Sequence, residues 1–301
     1  RPRAHAAAGL DRPALQPASS LDADRSALVW LAGKQNEDGS WGVSNQVALT
    51  SLSTLAFLAR GETTASERYG ETLIRALRFL HRRTSADEPL ADEDSVLLVW
   101  CLAEAYGLTR IPVLGDLLAK RAPAMVEADQ PTPWHVLATY SLFRSGMIPE
   151  LGPPALLGFA EEYPPPKDSL LDQATRLYLA VHFGQTNQLD SARADLQRLS
   201  PARWKQDAHP LQCALLLSLA FFQIGREDWS AWDQTFYASL LKQQLIEGEV
   251  GWWTLESLGI ESASEFPQWS RPEADIGTTA LLLMTFPPVR HLPTFKQQPF
   301  P

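Results

Sequence analysis

The sequence predicts an all-α fold, a single (α/α)6 toroid in which six helical hairpins form an inner and an outer ring of helices. The first observation behind this prediction is a set of glycines at nearly constant intervals. Apolar helical segments end at Gly61, Gly107, Gly146, Gly184 and Gly225, at spacings of 46, 39, 38 and 41 residues. A glycine just past a helix end adopts the left-handed conformation that allows the last carbonyls to be satisfied. Five such glycines at one period predict a repeated helical unit.

The second observation is an alternation between two kinds of helix. Within each interval an amphipathic helix, such as that containing 75–83, comes before a helix that is apolar on nearly every side, such as those containing 97–103 and 214–222. A helix that is apolar all round must be enclosed by protein. The second helix of each hairpin is therefore predicted to lie in the inner ring, and the first helix in the outer ring.

The six hairpins fill residues 21–290, which we treat as one domain between a flexible, Ala- and Pro-rich N-terminal linker (1–20) and a C-terminal tail (291–301). Two prolines at 287–288 stop the last helix. An open superhelical array is the competing arrangement. The predicted helix pairs are 22–34 with 45–60, 66–83 with 93–106, 112–127 with 133–145, 153–162 with 169–183, 188–198 with 209–224, and 228–247 with about 274–286.

One stretch carries the most specific pattern in the chain. Trp30 and Leu31 end an apolar helix, Gln35 follows, and a polar turn containing Gly39 leads to Trp41 and the next apolar helix. A Trp in this position is expected to cover the end of the first helix while its indole N–H donates to a carbonyl there.

This pattern resembles the QW motif of the prenyltransferase and squalene-cyclase repeat family, with Gln35, Gly39 and Trp41 at the motif positions. The resemblance implies a terpene-cyclase-like α/α toroid. It does not imply one activity, because cyclases, protein prenyltransferase subunits, thioester domains and lyases share this architecture. A second copy in the last hairpin favours a closed ring over an open array. That copy has a longer insert and consists of Gln244, Gly251 and Trp253.

Composition and charge exclude two classes of partner. The chain has 301 residues, is 45% hydrophobic, and has a formal net charge of −9 and a pI near 5.2. Nucleic acids and anionic membrane surfaces need a basic footprint, so neither is expected as the main partner. No apolar run reaches the length of about 18 residues that an integral membrane segment requires. The start at Arg1 and the linker favour an exported or membrane-tethered protein over a cytoplasmic one, and no pattern indicates an oligomeric state.

The N-termini of the inner helices are expected to share one rim of the toroid, because all of these helices are entered from the same side. This rim is acidic and contains two histidines. Helix capping explains such residues, and the alternative is that some of them form a binding or catalytic site. The rim residues are Asn45; Asp92, Glu93 and Asp94; Trp134 and His135; Asp172, Gln173 and Arg176; Asp207, His209 and Gln212; Asp275, Thr278 and Thr279.

Glu93 and Asp94 are the candidate catalytic residues. They resemble the last two acidic positions of the general-acid motif of squalene-hopene-type cyclases, which implies a buried carboxylic acid that protonates an alkene. This chain departs from that motif, since Ala91 stands at the first acidic position and the implied acid is Glu rather than Asp. It also lacks a second toroid to complete a cyclase cavity.

No metal and no cofactor are expected. Prenyl-transferring members of the family hold zinc with an Asp-x-Cys pair, which this chain lacks. His209 and Cys213 lie one helical turn apart and would suit a metal, but Pro210 and the Leu-rich surroundings favour a capped helix start and a core thiol. Cys101 and Cys213 lie in different apolar helices, so no disulfide is expected.

The rim predicts a ligand or partner site rather than a defined reaction. We expect a non-catalytic or degenerate toroid that binds an apolar or glycan ligand, or a protein partner. The alternatives are an isoprenoid cyclase or prenyltransferase using Glu93 or Asp94 as acid, and a polysaccharide lyase or hydrolase. The segment 248–272 is either a flap over one end of the barrel or a surface insert. The candidate ligand-binding residues are Trp134, His135, Asp172, Arg176, His209, Trp252 and Asp275.

Overall fold

The computed structural model describes residues 20–85, 90–126, 128, 131–148, 161, 169–183, 203–224, 226–266 and 268–286. The described part of the chain is mostly helical, which confirms the all-α class. A 3-10 turn (Arg203–Gln206) precedes the helix that begins at Pro210, and a π-helical turn (Asp233–Tyr237) follows the helix that ends at Trp232. The helices are α1 (Ser20–Gly33), α2 (Gln46–Ala59), α3 (Gly70–Ser85), α4 (Asp92–Thr109), α5 (Pro112–Val126), α6 (Pro133–Ser145), α7 (Leu170–His182), α8 (Pro210–Ile224), α9 (Arg226–Trp232), α10 (Ala238–Gln243), α11 (Leu255–Leu258) and α12 (Arg271–Thr285).

Several predicted helices agree closely with these bounds. The helix predicted at 133–145 is α6, which begins at Pro133 because the ring fixes φ at a helical value, and ends before Gly146 with φ 77°. Gly61, with φ 84°, follows the end of α2 in the predicted way. Some predictions lie outside the described residues: the outer helices 153–162 and 188–198, the stops at Gly184 and Gly225, the linker apart from Ser20, and the tail 291–301.

The predicted helix end at Gly107 is wrong. α4 continues to Thr109, and the left-handed residue is Arg110, with φ 54°. The Arg110 guanidinium lies 5.1 Å from the centre of the Tyr106 ring and donates a 2.7 Å hydrogen bond to the Ser145 carbonyl. These contacts hold a backbone conformation that is unfavourable for a residue with a side chain.

The predicted helix 228–247 is also wrong at its C-terminal end. The helix stops at Gln243, and β1 (Leu245–Glu247) pairs antiparallel with β2 (Val250–Trp252), with Ile246 opposite Gly251. Gly248 supplies the positive φ of 61° that the tight turn requires. The hairpin takes up the longer insert of the second motif copy, so that Gln244 packs directly over Gly251.

The helices predicted as inner ones pack against each other in chain order. α2 packs on α4, and α4 packs on α6. α6 touches α7, α7 packs on α8, and α8 packs on α12. The last of them, α12, packs back on α2.

These helices form the core of the described chain. Every residue of α2 from Val47 to Ala59 is buried, and Trp100, Tyr178 and Phe57 are among the largest side chains that are fully buried. In α3, by contrast, Leu73 and Leu80 are buried while charged side chains follow the opposite face. The predicted contrast between apolar and amphipathic helices is therefore present.

Two Trp side chains close helix ends in the same way. Trp41 donates its indole N–H to the Leu31 carbonyl at the end of α1, at 2.7 Å. Trp253 donates to the Leu240 carbonyl near the end of α10, at 2.9 Å. Each Trp also uses its backbone N–H to bond a Thr hydroxyl of the following inner helix, at 3.1 Å. The predicted role of Trp41 as cover of a helix end is therefore confirmed.

Two Gln side chains connect neighbouring outer helices. The Gln35 amide donates to the Thr72 carbonyl in the first turn of α3, at 2.9 Å, and the Arg75 guanidinium donates to the amide oxygen of Gln35. The Gln244 amide donates to the Ala23 carbonyl in the first turn of α1, also at 2.9 Å. Gln244 thus bonds the first turn of α1 in the same way that Gln35 bonds the first turn of α3.

Further contacts hold the two ends of the described chain together. The Glu273 carboxylate accepts hydrogen bonds from the backbone N–H groups of Val43, Ser44 and Asn45 at the start of α2, at 2.8–3.2 Å. Asp24 and Arg60 form a buried ion pair. Trp30 of α1 stacks on Trp252 of β2 with ring centres 5.7 Å apart.

Candidate functional site

A cleft of about 350 Å³ lies at the N-terminal ends of α4, α6 and α8. The segment between α11 and α12 forms one wall through Ser264 and Glu265, so part of the insert 248–272 borders this opening. Four of the predicted site residues meet here: Glu93, Trp134, His135 and His209. Among the described residues, the lining consists of Asp92, Glu93, Val96, Thr132, Pro133, Trp134, His135, Leu171, His209, Gln212, Ser264 and Glu265.

The start of α6 fixes the imidazole of His135. The Thr132 backbone N–H donates to His135 Nδ1 at 3.1 Å, within a capping box at this helix start. Because Nδ1 accepts this bond, the ring proton of the neutral imidazole is on Nε2. Burial lowers the pKa of His135, although Asp92 opposes the shift, so the ring is neutral at pH 7.

Glu93 lies beside an indole. The Trp134 side chain lies close enough to the Glu93 carboxylate to favour its charged form. Burial and the neighbouring Asp94 raise the pKa of Glu93, and the Trp134 side chain reduces this shift. Trp134 is 7% exposed and packs against Trp100 with ring centres 5.9 Å apart.

Glu265 and Gln212 form the most buried polar part of the cleft, at 4% and 2% exposed. Glu265 Oε1 accepts the Gln212 backbone N–H at 3.0 Å and so caps α8. Glu265 Oε2 and Gln212 Nε2 are buried and have no hydrogen-bond partner among the described residues. Burial raises the pKa of Glu265 to about 7 despite its bonds from backbone N–H groups. Such buried, unpartnered polar atoms cost stability unless a ligand or water satisfies them.

His209 lies at the start of α8. Its backbone N–H donates to Asp207 Oδ1 at 2.9 Å, and burial lowers the pKa of its imidazole while Asp207 opposes the shift. Cys213 is fully buried, and burial raises the pKa of its thiol far above the ordinary value. In the part of the chain that the structure describes, no three His, Cys, Asp or Glu side chains are grouped as metal ligands.

The structure does not bring the other predicted residues into the cleft lining. Asp94 lies near the Ala48 backbone N–H of α2, which offsets part of the rise of its pKa on burial, and Asp172 accepts a 2.7 Å bond from the Ser169 hydroxyl at the start of α7. Arg176 is on the next turn of α7. Trp252 stacks on Trp30, and Asp275 lies on α12 near Arg271 and Lys34, which partly offset the rise of its pKa to about 6 on burial.

Capping explains part of the acidic rim, as expected for helix starts. Asp207 Oδ2 accepts the backbone N–H groups of Leu170 and Leu171 at the start of α7, at 2.9 and 3.3 Å. Glu273 and Glu265 do the same for α2 and α8. In all three cases the carboxylate lies outside the helix that it caps, so it also joins two parts of the chain.

Sequence reasoning did not single out Glu265 and Ser264 as site residues. They lie in an insert with no periodic pattern, and Ser264 is brought to the cleft by a 2.7 Å bond from its backbone N–H to the Ala208 carbonyl. The only signal was the unusual length of 248–272, which suggested a flap.

Comparisons with protein-family models, curated proteins and solved structures returned no match. Function is therefore argued from the cleft alone. Among the described helices, none combines the length and the apolar character needed to cross a bilayer.

Proposed function

We propose that the chain is a closed α/α toroid, a divergent relative of the prenyltransferase and squalene-cyclase repeat proteins. The cyclic order of packing, from α2 through α4, α6, α7, α8 and α12 back to α2, supports a ring. The equivalent bonds of Gln35 to α3 and of Gln244 to α1 support the ring independently, because the last hairpin bonds α1 in the same way that the first hairpin bonds α3.

The proposed function of this toroid is to bind a small ligand in the cleft at the N-terminal rim of the inner helices. One observation carries this proposal: Gln212 and Glu265 both line the cleft, and each has a buried polar atom without a partner among the described residues. A stable fold rarely leaves such atoms unsatisfied unless a ligand or ordered water bonds them.

The size and lining of the cleft limit the ligand. Its volume of about 350 Å³ is at the lower end of the range of small-molecule pockets. One aromatic wall, Trp134, and several convergent polar groups are typical of a site that orients a compact, partly polar molecule. A long polyprene is disfavoured because the inner helices fill the space between them with buried side chains such as Leu52, Phe57 and Trp100.

A fragment screen observed by NMR tests the proposal. The imidazole signals of His135 and His209 serve as reporters, since both rings line the cleft. We expect a subset of compact polar fragments to shift both signals, and the Gln212→Leu variant to abolish these shifts while His81, which is outside the cleft, remains unaffected. A screen in which no fragment moves either reporter would refute the proposal.

Hydrolysis of a neutral glycan is the second candidate function. Glu93 and Glu265 line one cleft, and burial raises the pKa of both, which suits one carboxyl as proton donor. Release of reducing sugar from a panel of neutral oligosaccharides, lost in both Glu93→Gln and Glu265→Gln, is the expected result. The absence of turnover across the panel would remove this candidate and leave the binding proposal in place.

A further inference from the structure

We propose that the cleft binds an organic cation, an ammonium or guanidinium group that faces the carboxylates of Glu93 and Glu265 and lies against the Trp134 side chain. The inference rests on the proposed function, because it names the chemistry of the ligand for the same cleft.

The charges that border the cleft are unbalanced. Asp92, Glu93 and Glu265 contribute three carboxyl groups, and none of the described residues in the lining is Lys or Arg. The two histidines do not compensate, because burial lowers the pKa of each ring. Asp92 and Glu93 are exposed, whereas Glu265 is 4% exposed. A buried carboxylate without a cation is destabilised, and a positively charged ligand supplies the missing countercharge.

The unpartnered atoms agree with this chemistry. Glu265 Oε2 needs a donor, and ammonium and guanidinium groups carry only donors. Gln212 Nε2 needs an acceptor, which a hydroxyl, carbonyl or amine nitrogen elsewhere on the same ligand provides. The carboxylates alone would not define a site, but the buried Gln212 amide, which is not part of the acidic cluster, points to a bonded occupant.

The aromatic wall favours an organic cation over a metal ion. The Trp134 side chain borders the cleft beside the Glu93 carboxylate. An indole ring attracts an ammonium or guanidinium group through its quadrupole. No set of three metal ligands is grouped in the described chain, and about 350 Å³ exceeds the space that a bare ion needs.

The test is titration calorimetry of the full chain at pH 8 and low ionic strength. The cationic probes are agmatine and benzylammonium, which test the cation alone because neither carries an acceptor for Gln212 Nε2 at pH 8. Benzyl alcohol is the neutral match for benzylammonium. A capped tripeptide, acetyl-Gly-Arg-Gly-amide, separates the two sources of the same chemistry. If agmatine binds and the tripeptide does not, the natural ligand is a free small molecule. If the tripeptide binds, the ligand is an Arg side chain of a protein partner.

The variants isolate the two carboxylates. Glu265→Gln and Glu93→Gln keep the shape of the side chain and remove its charge, so each is expected to weaken agmatine roughly 10- to 100-fold. Glu249→Gln removes the same charge at an exposed position in the β1–β2 turn region and is expected to change binding less than about twofold. Because Glu265 caps α8, each thermal midpoint is measured as well, and Glu93→Gln provides a second variant that leaves this cap in place.

Three outcomes overturn the inference. These are equal affinity for benzyl alcohol and benzylammonium, no heat from any cationic probe, and an equal loss of binding in Glu249→Gln. The first two leave the proposed function standing if neutral fragments still shift the His135 and His209 signals. If no fragment shifts the His135 or His209 signal, both the inference and the proposed function are refuted.

Discussion

Glu273 and Glu265 are both buried glutamates that cap the start of a neighbouring apolar helix, yet their pKa values move in opposite directions. Burial raises the pKa of Glu273, but hydrogen bonds from the backbone N–H groups of Val43, Ser44, Ser270 and Asn45 outweigh burial and lower it to about 2. Glu265 has fewer such bonds and keeps one oxygen without a partner among the described residues. The effect of burial therefore outweighs these bonds, and the pKa of Glu265 rises to about 7. The first carboxylate is structural, and the second is poised to exchange a proton or bind a ligand.

Glu273→Gln is expected to destabilise the fold by about 1–3 kcal/mol at pH 7, because neutral Gln bonds the start of α2 more weakly than a carboxylate does. The folded pKa lies below the unfolded value of 4.5, so this stability is present above pH 4.5 and is lost as the pH falls through about 2. Urea unfolding at several pH values should show the difference between wild type and variant shrinking over that window.

The control for this prediction is Glu256→Gln, which removes a carboxylate that is 78% exposed and paired with Arg271. It is expected to cost less than about 1 kcal/mol. Equal losses in the two variants would contradict the structural role of Glu273.

The affinity of agmatine is expected to fall by up to about tenfold per pH unit as the pH decreases below 7, because protonation of Glu265 removes the charge that the cation meets. The folded pKa of about 7 lies above the unfolded value of 4.5, so the empty protein is expected to lose stability as the pH rises through 7. Binding of a cation should lower this pKa and release a proton, which calorimetry in buffers of different ionisation enthalpy measures. In Glu265→Gln the pH dependence should flatten.

The insert between α11 and α12 is an element whose position depends on a glycine. A Cβ atom at Gly277 would lie 2.4 Å from the Trp269 ring and 2.9 Å from the Phe266 ring. These two rings stack on each other with centres 4.2 Å apart, directly after Glu265. Because Gly277 has no side chain, the segment that forms this wall of the cleft can pack closely against α12.

Gly277→Ala is expected to destabilise the protein, although Ala favours helices by about 1 kcal/mol over Gly. Displacement of the Phe266 and Trp269 rings should loosen Glu265 and speed hydrogen exchange of the Gln212 amide, which Glu265 holds. Mass-spectrometric exchange measures this effect. Gly33→Ala is the control, since a Cβ there meets no atom within 4 Å, and unchanged Gln212 exchange in Gly277→Ala would count against the argument.

At the level of the whole chain, the ends are held by contacts that no single hairpin contains. Arg60, just after α2, pairs with Asp24 of α1 and donates a 3.3 Å bond to the Phe286 carbonyl after α12. Both charged side chains are buried, so removal of either leaves an uncompensated charge in the interior. The pair therefore acts at the junction of the first and last hairpins.

Asp24→Ala is expected to cost about 3–5 kcal/mol in urea unfolding because it leaves the Arg60 guanidinium buried and unpaired. The double change Asp24→Leu with Arg60→Met should recover most of that loss, since it removes both charges and keeps the volume apolar. The exposed Arg271–Glu256 pair is the control and should contribute less than about 1 kcal/mol. A double variant as unstable as the single one would contradict a role for charge compensation.

Local patterns in the sequence account for much of the architecture. Periodic apolar residues predicted the inner helices, and the Gln35–Trp41 stretch predicted a Trp that covers a helix end, as Trp41 does. They failed where a distant contact changes the local preference: Arg110 is left-handed because it bonds Ser145, and the chain after Gln243 is a β-hairpin because Gln244 reaches α1.

In the candidate site too, local sequence patterns identified some residues, and distant contacts placed the others. Glu93, Trp134, His135, His209 and Gln212 were identifiable because each lies at or near the start of an apolar helix, and these helix starts were expected to be close in space. Their meeting with Ser264 and Glu265 was not, because the insert has no period and its place depends on Gly277 and on the Ser264–Ala208 bond.

Residue order thus settled most of the helical segments and their apolar faces, since both depend mainly on interactions within a few residues. Folding alone brought Glu273 beside Val43 and Gln244 beside Ala23, across more than 200 positions of chain. It also set the pKa of Glu265, because burial depends on the elements that surround a carboxyl group and not on its neighbours in sequence.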